Sequence, residues 1–129
     1  MPGHRAFSLH AQRDSRIDLQ RLRENIGRFP KDPREQNTLW YRLYKKVEAD
    51  LMIIFAHRNY LLFRDIAALS AVLVVVAPII LLVLGAALPA IWSSFCLFAI
   101  QYLATALAAR NHGNRLVTNV LALHSLKRY

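Results

Sequence analysis

Between Ile66 and Ala109 the chain runs for 44 residues without an Asp, Glu, Lys, Arg or His. Pro89 divides this stretch into two apolar runs, Ile66–Leu84 of 19 residues and Ala90–Ala109 of 20. As helices each would extend about 30 Å, the thickness of a bilayer's hydrocarbon core. The five residues between them, Gly85-Ala86-Ala87-Leu88-Pro89, match a helix ending on a glycine and a new one opening on a proline. With no water to satisfy backbone N–H and C=O groups, only helices or closed barrels cross a bilayer. The expectation is a transmembrane helical hairpin. A soluble domain of 129 residues has too little chain to cover two such helices on every side.

Charge sharpens this expectation. Thirteen Lys and Arg and all eight acidic residues precede Ile66; four basic residues, Arg110, Arg115, Lys127 and Arg128, follow Ala109. The turn between the runs carries none. Basic flanks favour the cytoplasmic side, so both termini are expected in the cytoplasm and the 85–89 turn outside, at the inner membrane of a cell. The net charge of +9 needs no nucleic acid to explain it, because juxtamembrane Lys and Arg meet anionic headgroups. The first 30 residues contain no apolar run of signal-peptide type, so the 66–84 helix is expected to act as its own insertion signal.

The flanking segments read as cytoplasmic helices, and the whole fold as all-α. Residues 1–32 divide into a stretch without periodicity, expected to be mobile, and a short amphipathic helix. That helix is expected to open on Ser15, with Asp18 three residues on as an imperfect capping box, and to end at Gly27 and Pro30. Residues 33–65 are expected to form a helix capped by Asp32, with Pro33 in its first turn, whose apolar face is Leu39, Leu43, Val47, Leu51 and Ile54. Nothing before Pro78 breaks that pattern, so it is expected to enter the membrane uninterrupted. Residues 110–129 carry a second apolar stripe of Leu116, Val117, Val120, Leu121 and Leu123, expected to pack on the 37–57 face; Gly113 either bends this segment or lies within it.

Little catalytic chemistry is written in the chain. No His stands at metal-ligand spacing with Cys, Asp or Glu, no phosphate loop or nucleophile elbow occurs, and no cofactor is implied. The single cysteine, Cys96, lies inside the second run. Arg110, His112 and Arg115 form a basic cluster suited to lipid or a triggering ligand. Small residues at four-residue spacing, Ala67 with Ala71 and Ala104 with Ala108 beside Thr105 and Ala109, let membrane helices approach closely and point to self-association. Pro78 removes a backbone donor and frees the Val74 carbonyl. Gln101, 11 residues beyond Ala90 and so about 16 Å into the core, is the polar side chain at depth. Two partners are open to it: the Val74 carbonyl of its own chain, or Gln101 of neighbouring copies.

Residues 37–48, Asn-Thr-Leu-Trp-Tyr-Arg-Leu-Tyr-Lys-Lys-Val-Glu, and 108–125, Ala-Ala-Arg-Asn-His-Gly-Asn-Arg-Leu-Val-Thr-Asn-Val-Leu-Ala-Leu-His-Ser, flank the hairpin. In layout, from about residue 37 to 125, the chain resembles the small two-helix membrane effectors of bacterial conflict systems, of SLATT-like or retron-associated type. The resemblance implies a non-enzymatic protein that assembles and breaches the inner membrane in antiviral defence. Its expected partners are the bilayer, further copies of itself, and a cytoplasmic sensor or nucleoprotein. The alternative is an accessory subunit anchoring a larger membrane or nucleoprotein complex.

Overall fold

The computed structural model describes residues 2–126. All regular structure among these residues is helical. Lys127 and Arg128, counted above with the basic residues after the hairpin, lie outside them. A 3-10 turn (Pro2–Arg5), a π-helical turn (Ala6–His10) and one α-helical turn, α1 (Ala11–Arg13), lead to α2 (Leu19–Ile26), α3 (Pro33–Val47), α4 (Leu51–Val83) and α5 (Leu88–Leu126). The chain divides into two compact units. One holds the residues up to Arg58 and those from His112 onward; the other is Asn59–Asn111.

The first unit has a conventional core. Phe7, Leu22, Trp40, Leu43, Val47 and Ile53 are buried, together with Leu116, Val117, Val120 and Leu121 of α5. The apolar faces expected for α3 and the end of α5 are therefore both covered. Their joint is His124: its Nε2–H donates to the Leu43 carbonyl at 2.9 Å, while its own carbonyl accepts from Asn25 of α2 at 2.8 Å. A carbonyl can only accept, so this bond fixes the proton on Nε2. Gly113 lies inside α5, which runs through it unbroken.

Two local expectations are corrected. The helix from residue 33 does not continue into the apolar run: it stops at Val47, and α4 starts at Leu51. Asp50 causes the break, since its side chain accepts from the Met52 N–H at 2.9 Å and its N–H turns back to the Val47 carbonyl. A short acidic side chain competes with the helix for backbone donors in this way. The interruption resets the helical phase, so Ile53 is fully buried while Leu51 and Ile54 are 71% and 44% exposed. Likewise α2 is capped by Asp18, not Ser15; Asp18 accepts from the N–H groups of Gln20 and Arg21. Its carboxylate is the stronger acceptor for a helix's first amides.

The aperiodic first residues fold against α3. Gln36 is buried, and its Oε1 accepts from the N–H groups of Phe7 (3.2 Å) and Ser8 (3.1 Å) while its Nε2 donates to the Lys31 carbonyl (3.1 Å). Gly3 lies directly against Trp40; a Cβ there would approach the indole to 2.7 Å. Asp14 and Arg16 pair at 2.6 Å, and Arg16 also reaches Asn119 and Thr118 of α5. The Arg16 hydrogen bond holds the Asp14 carboxyl down at about 2, so what this pair contributes persists above the ordinary carboxylate range and is lost as pH falls toward that value.

Two outcomes follow for this unit. In Gln36→Leu the Phe7 and Ser8 N–H groups lose their acceptor, and stability should fall by about 2 kcal/mol or more. Denaturant unfolding followed by Trp40 fluorescence in a Trp92→Phe background measures this, and a change below about 0.5 kcal/mol would remove Gln36 from that role. The second outcome concerns pH. Burial, outweighing the Leu43 hydrogen bond, pushes His124 below its ordinary 6.5, and nearby Lys46 adds to this. Burial, with His4 and Arg13, does the same to His10. Above pH 6.5 the ring is neutral in both states; below it the unfolded chain takes up a proton that the fold resists. The melting temperature should therefore drop between about pH 7.5 and about pH 5.5, with a shallower drop in His124→Gln, where His10 still titrates. An identical slope in that variant would contradict the assignment.

Candidate functional site

The second unit is a hairpin of the outer parts of α4 and α5. Its turn forms because Gly85 takes φ 71°, a conformation closed to most L residues. The Ala86 N–H then reaches the Leu81 carbonyl (2.9 Å) and the Gly85 N–H the Leu82 carbonyl (3.1 Å), the double closure of a Schellman end. The Ala87 carbonyl accepts from Ala90 and Ile91 to open α5, with Pro89 in its first turn. Pro78 sits within α4 without ending it.

Few side chains of this unit are covered. Ala67, Ser70 and Ala109 are buried, and Ile91, Ser94, Phe98 and Thr105 are half-buried at helical spacing along one face of α5. Around them Leu69, Val75, Leu82, Leu84, Leu97, Ile100 and Leu107 are each more than half exposed. These helices are long and apolar enough to cross a membrane. Little of either apolar stretch is buried within the described residues.

The polar groups of the hairpin fall into two sets. Hydroxyls turn back on their own helix: Ser70 donates to Ile66, Ser93 to Pro89, Ser94 to Ile91 and Thr105 to Gln101, at 2.7–2.8 Å. They leave no donor exposed. Gln101 behaves differently. It is exposed, and its amide has no hydrogen bond to any described residue. The intrachain bond to the Val74 carbonyl is therefore not made, because Gln101 lies beside, not within, the face that α5 turns to α4. It is nine residues from Trp92 and nine from Arg110, so about 14 Å from either end of the apolar span. Tyr102, its neighbour in the chain, is 39% exposed at the same level.

Gln101 also belongs to a longer row. Ala90, Ser94, Leu97, Gln101, Ala104 and Ala108 alternate spacings of four and three along α5. Spacing of this kind keeps the row on one side of the helix; Ser94 within it is also one of the half-buried residues of the inward face. Ala104 is exposed and Ala108 half-buried, whereas Ala67 and Ala109 are already used inside the hairpin. Thr105, half-buried, faces inward, and Pro78 is half-buried on α4. Of the basic cluster, Arg110 and Arg115 are exposed with no ion pair to a described residue, and His112 is half-buried. Arg64 and Asp65 pair with each other at 2.8 Å on the exposed surface. Cys96 is exposed and free. Among the described residues no group of three His, Cys, Asp or Glu is placed to hold a metal ion.

No protein-family model, curated protein or solved structure matches the chain. The reading of the Gln101 row rests on its geometry and on the chemistry of an amide among hydrocarbon side chains.

Proposed function

We propose that the protein is a two-span inner-membrane effector. In this reading both termini face the cytoplasm, copies associate along the Gln101 row of α5, and the assembly permeabilises the bilayer in antiviral defence. It acts without catalysing a reaction. The observation that carries this is the exposed Gln101 amide halfway along an uncovered apolar helix. An unpaired amide in hydrocarbon is costly, and an amide is its own best partner, since it donates and accepts at once. A ring of Gln101 from several copies would satisfy each amide and line a polar path. Ala104 and Ala108 on the same row allow the close approach this requires. The antiviral part of the reading rests on the resemblance in layout to two-helix conflict effectors.

A second reading, an anchor for a larger complex, draws on another observation. Leu51, Met52, Ile54 and Phe55 are exposed together at the start of α4, a surface that a partner could cover. Induced depolarisation of cells on overexpression separates the two, being expected of the effector and not of the anchor.

Gln101→Leu tests the assembly. Interhelical amide bonds contribute about 0.6–2 kcal/mol each, so the variant should associate about 3- to 30-fold more weakly for each bond lost and should release no ions from cells or vesicles, with insertion unchanged. Unchanged oligomer size together with unchanged leakage would sink the proposal. Orientation is tested by cysteine labelling in a Cys96→Ser background. Ala87→Cys, exposed in the turn, should react with an impermeant thiol reagent added to intact spheroplasts, and Glu48→Cys, exposed in the first unit, should react only after lysis. The reverse pattern would invert the topology.

A further inference from the structure

In the first unit, a groove of about 360 Å³ lies between α3 and the loop that precedes it. Arg34 and Arg42 stand eight residues apart on α3, so on one side of the helix with backbones about 12 Å apart. Arg28 joins them from the loop, because α2 stops at Gly27 and the chain turns back through Pro30. Pro30 and Leu39 supply apolar wall, and Glu35 is the one acid among the lining residues.

Among the described residues, Arg28, Arg34 and Arg42 share their lack of an ion pair with Arg5, Arg13, Arg58, Arg110 and Arg115; what distinguishes them is that all three line one groove. Arg16 is paired with Asp14, Arg21 with Asp18 and Arg64 with Asp65, while Arg23 stacks on Phe29. Arg28, Arg34 and Arg42 have no ion pair or ring contact with any described residue. Glu35 lines the same groove and pairs with none of them. Three arginines lining one groove place an excess of positive charge around it, and guanidinium forks suit phosphate oxygens. With Glu35 counted, the lining carries an excess of two positive charges, the charge of a phosphate monoester near neutral pH.

We propose that this groove binds a phosphate monoester carried on an organic body, its phosphate held by Arg28, Arg34 and Arg42 and its apolar part against Pro30 and Leu39. A soluble phosphorylated metabolite and a phosphomonoester lipid headgroup share this chemistry, and the experiment separates them. Full-length protein is reconstituted in phosphatidylcholine nanodiscs. One sample receives adenosine 5′-monophosphate, and a second is made with phosphatidic acid in the bilayer. The readout is arginine modification by phenylglyoxal, located by mass spectrometry. Protection of Arg28, Arg34 and Arg42 by about tenfold over Arg21 and Arg23 is expected. Protection by the nucleotide alone identifies a soluble ligand, by phosphatidic acid alone a headgroup, and by both a site for the shared group; each supports the proposal.

Charge variants give an independent sign. All of these side chains are exposed, so substitution leaves the core intact. Arg34→Gln and Arg42→Gln should each weaken binding of the protecting probe about tenfold. Glu35→Gln should strengthen it about threefold by removing the opposing charge, and Arg21→Gln should leave it unchanged. The proposal is overturned if neither probe protects the three arginines selectively, or if Arg21→Gln weakens binding as much as Arg34→Gln does. These readouts concern the first unit and do not depend on association through Gln101.

Discussion

The constraint behind the whole architecture is that a peptide group cannot be left without a hydrogen-bond partner where there is no water. A stretch of 44 residues without a charge is too apolar to expose to water at length. Helix formation satisfies its backbone internally. The serine and threonine hydroxyls follow the same logic by donating to carbonyls one turn back. Gln101 cannot do so from its position, and its amide is left facing outward at mid-span. The proposed assembly is the completion of this hydrogen-bond accounting by further copies of the same chain.

The first unit solves the opposite problem. It is small, and its apolar core is supplemented by buried polar side chains that tie separate segments together. Gln36 joins the first turns to the start of α3, and His124 joins α3, α5 and α2. All but the Gln36–Lys31 bond span long stretches of sequence, and they report a specific arrangement, because a buried donor or acceptor that loses its partner is costly. Trp40 Nε1 is the one buried side-chain polar atom without a partner among the described residues. Its ring is nonetheless packed against Gly3 and stacked with Tyr44, which in turn stacks with His57.

Much of this was legible in advance. Asp32 and Pro33 announce the start of α3, and Gly85 the end of α4, because caps act through their nearest neighbours. The faces of Leu43 and Val47 and of Val117, Val120 and Leu121 follow from spacing alone. The misreadings share one cause. Asp50 breaks a helix whose apolar spacing continues across the break, and Asp18 takes the cap from Ser15; a local side-chain bond in each case outweighs the periodic pattern. Gln36 looks like an ordinary surface residue in the first turn of a helix. The backbone of residues 7 and 8, nearly thirty positions away, together with the Lys31 carbonyl, makes its burial favourable.

The sequence by itself determined the long apolar helices, the turn between them and the distribution of charge about them, since these depend on residues adjacent in the chain or one helical turn apart. It also marked Gln101 as the polar group at depth. The tertiary structure decided which way that amide points, by assigning the inward face of α5 to Ile91, Phe98 and Thr105. It also decided that Arg28 meets Arg34 and Arg42 around one groove. Spacing fixes where a side chain stands on its own helix, but what it faces depends on the packing of elements that lie apart in sequence, whose contacts no local pattern records.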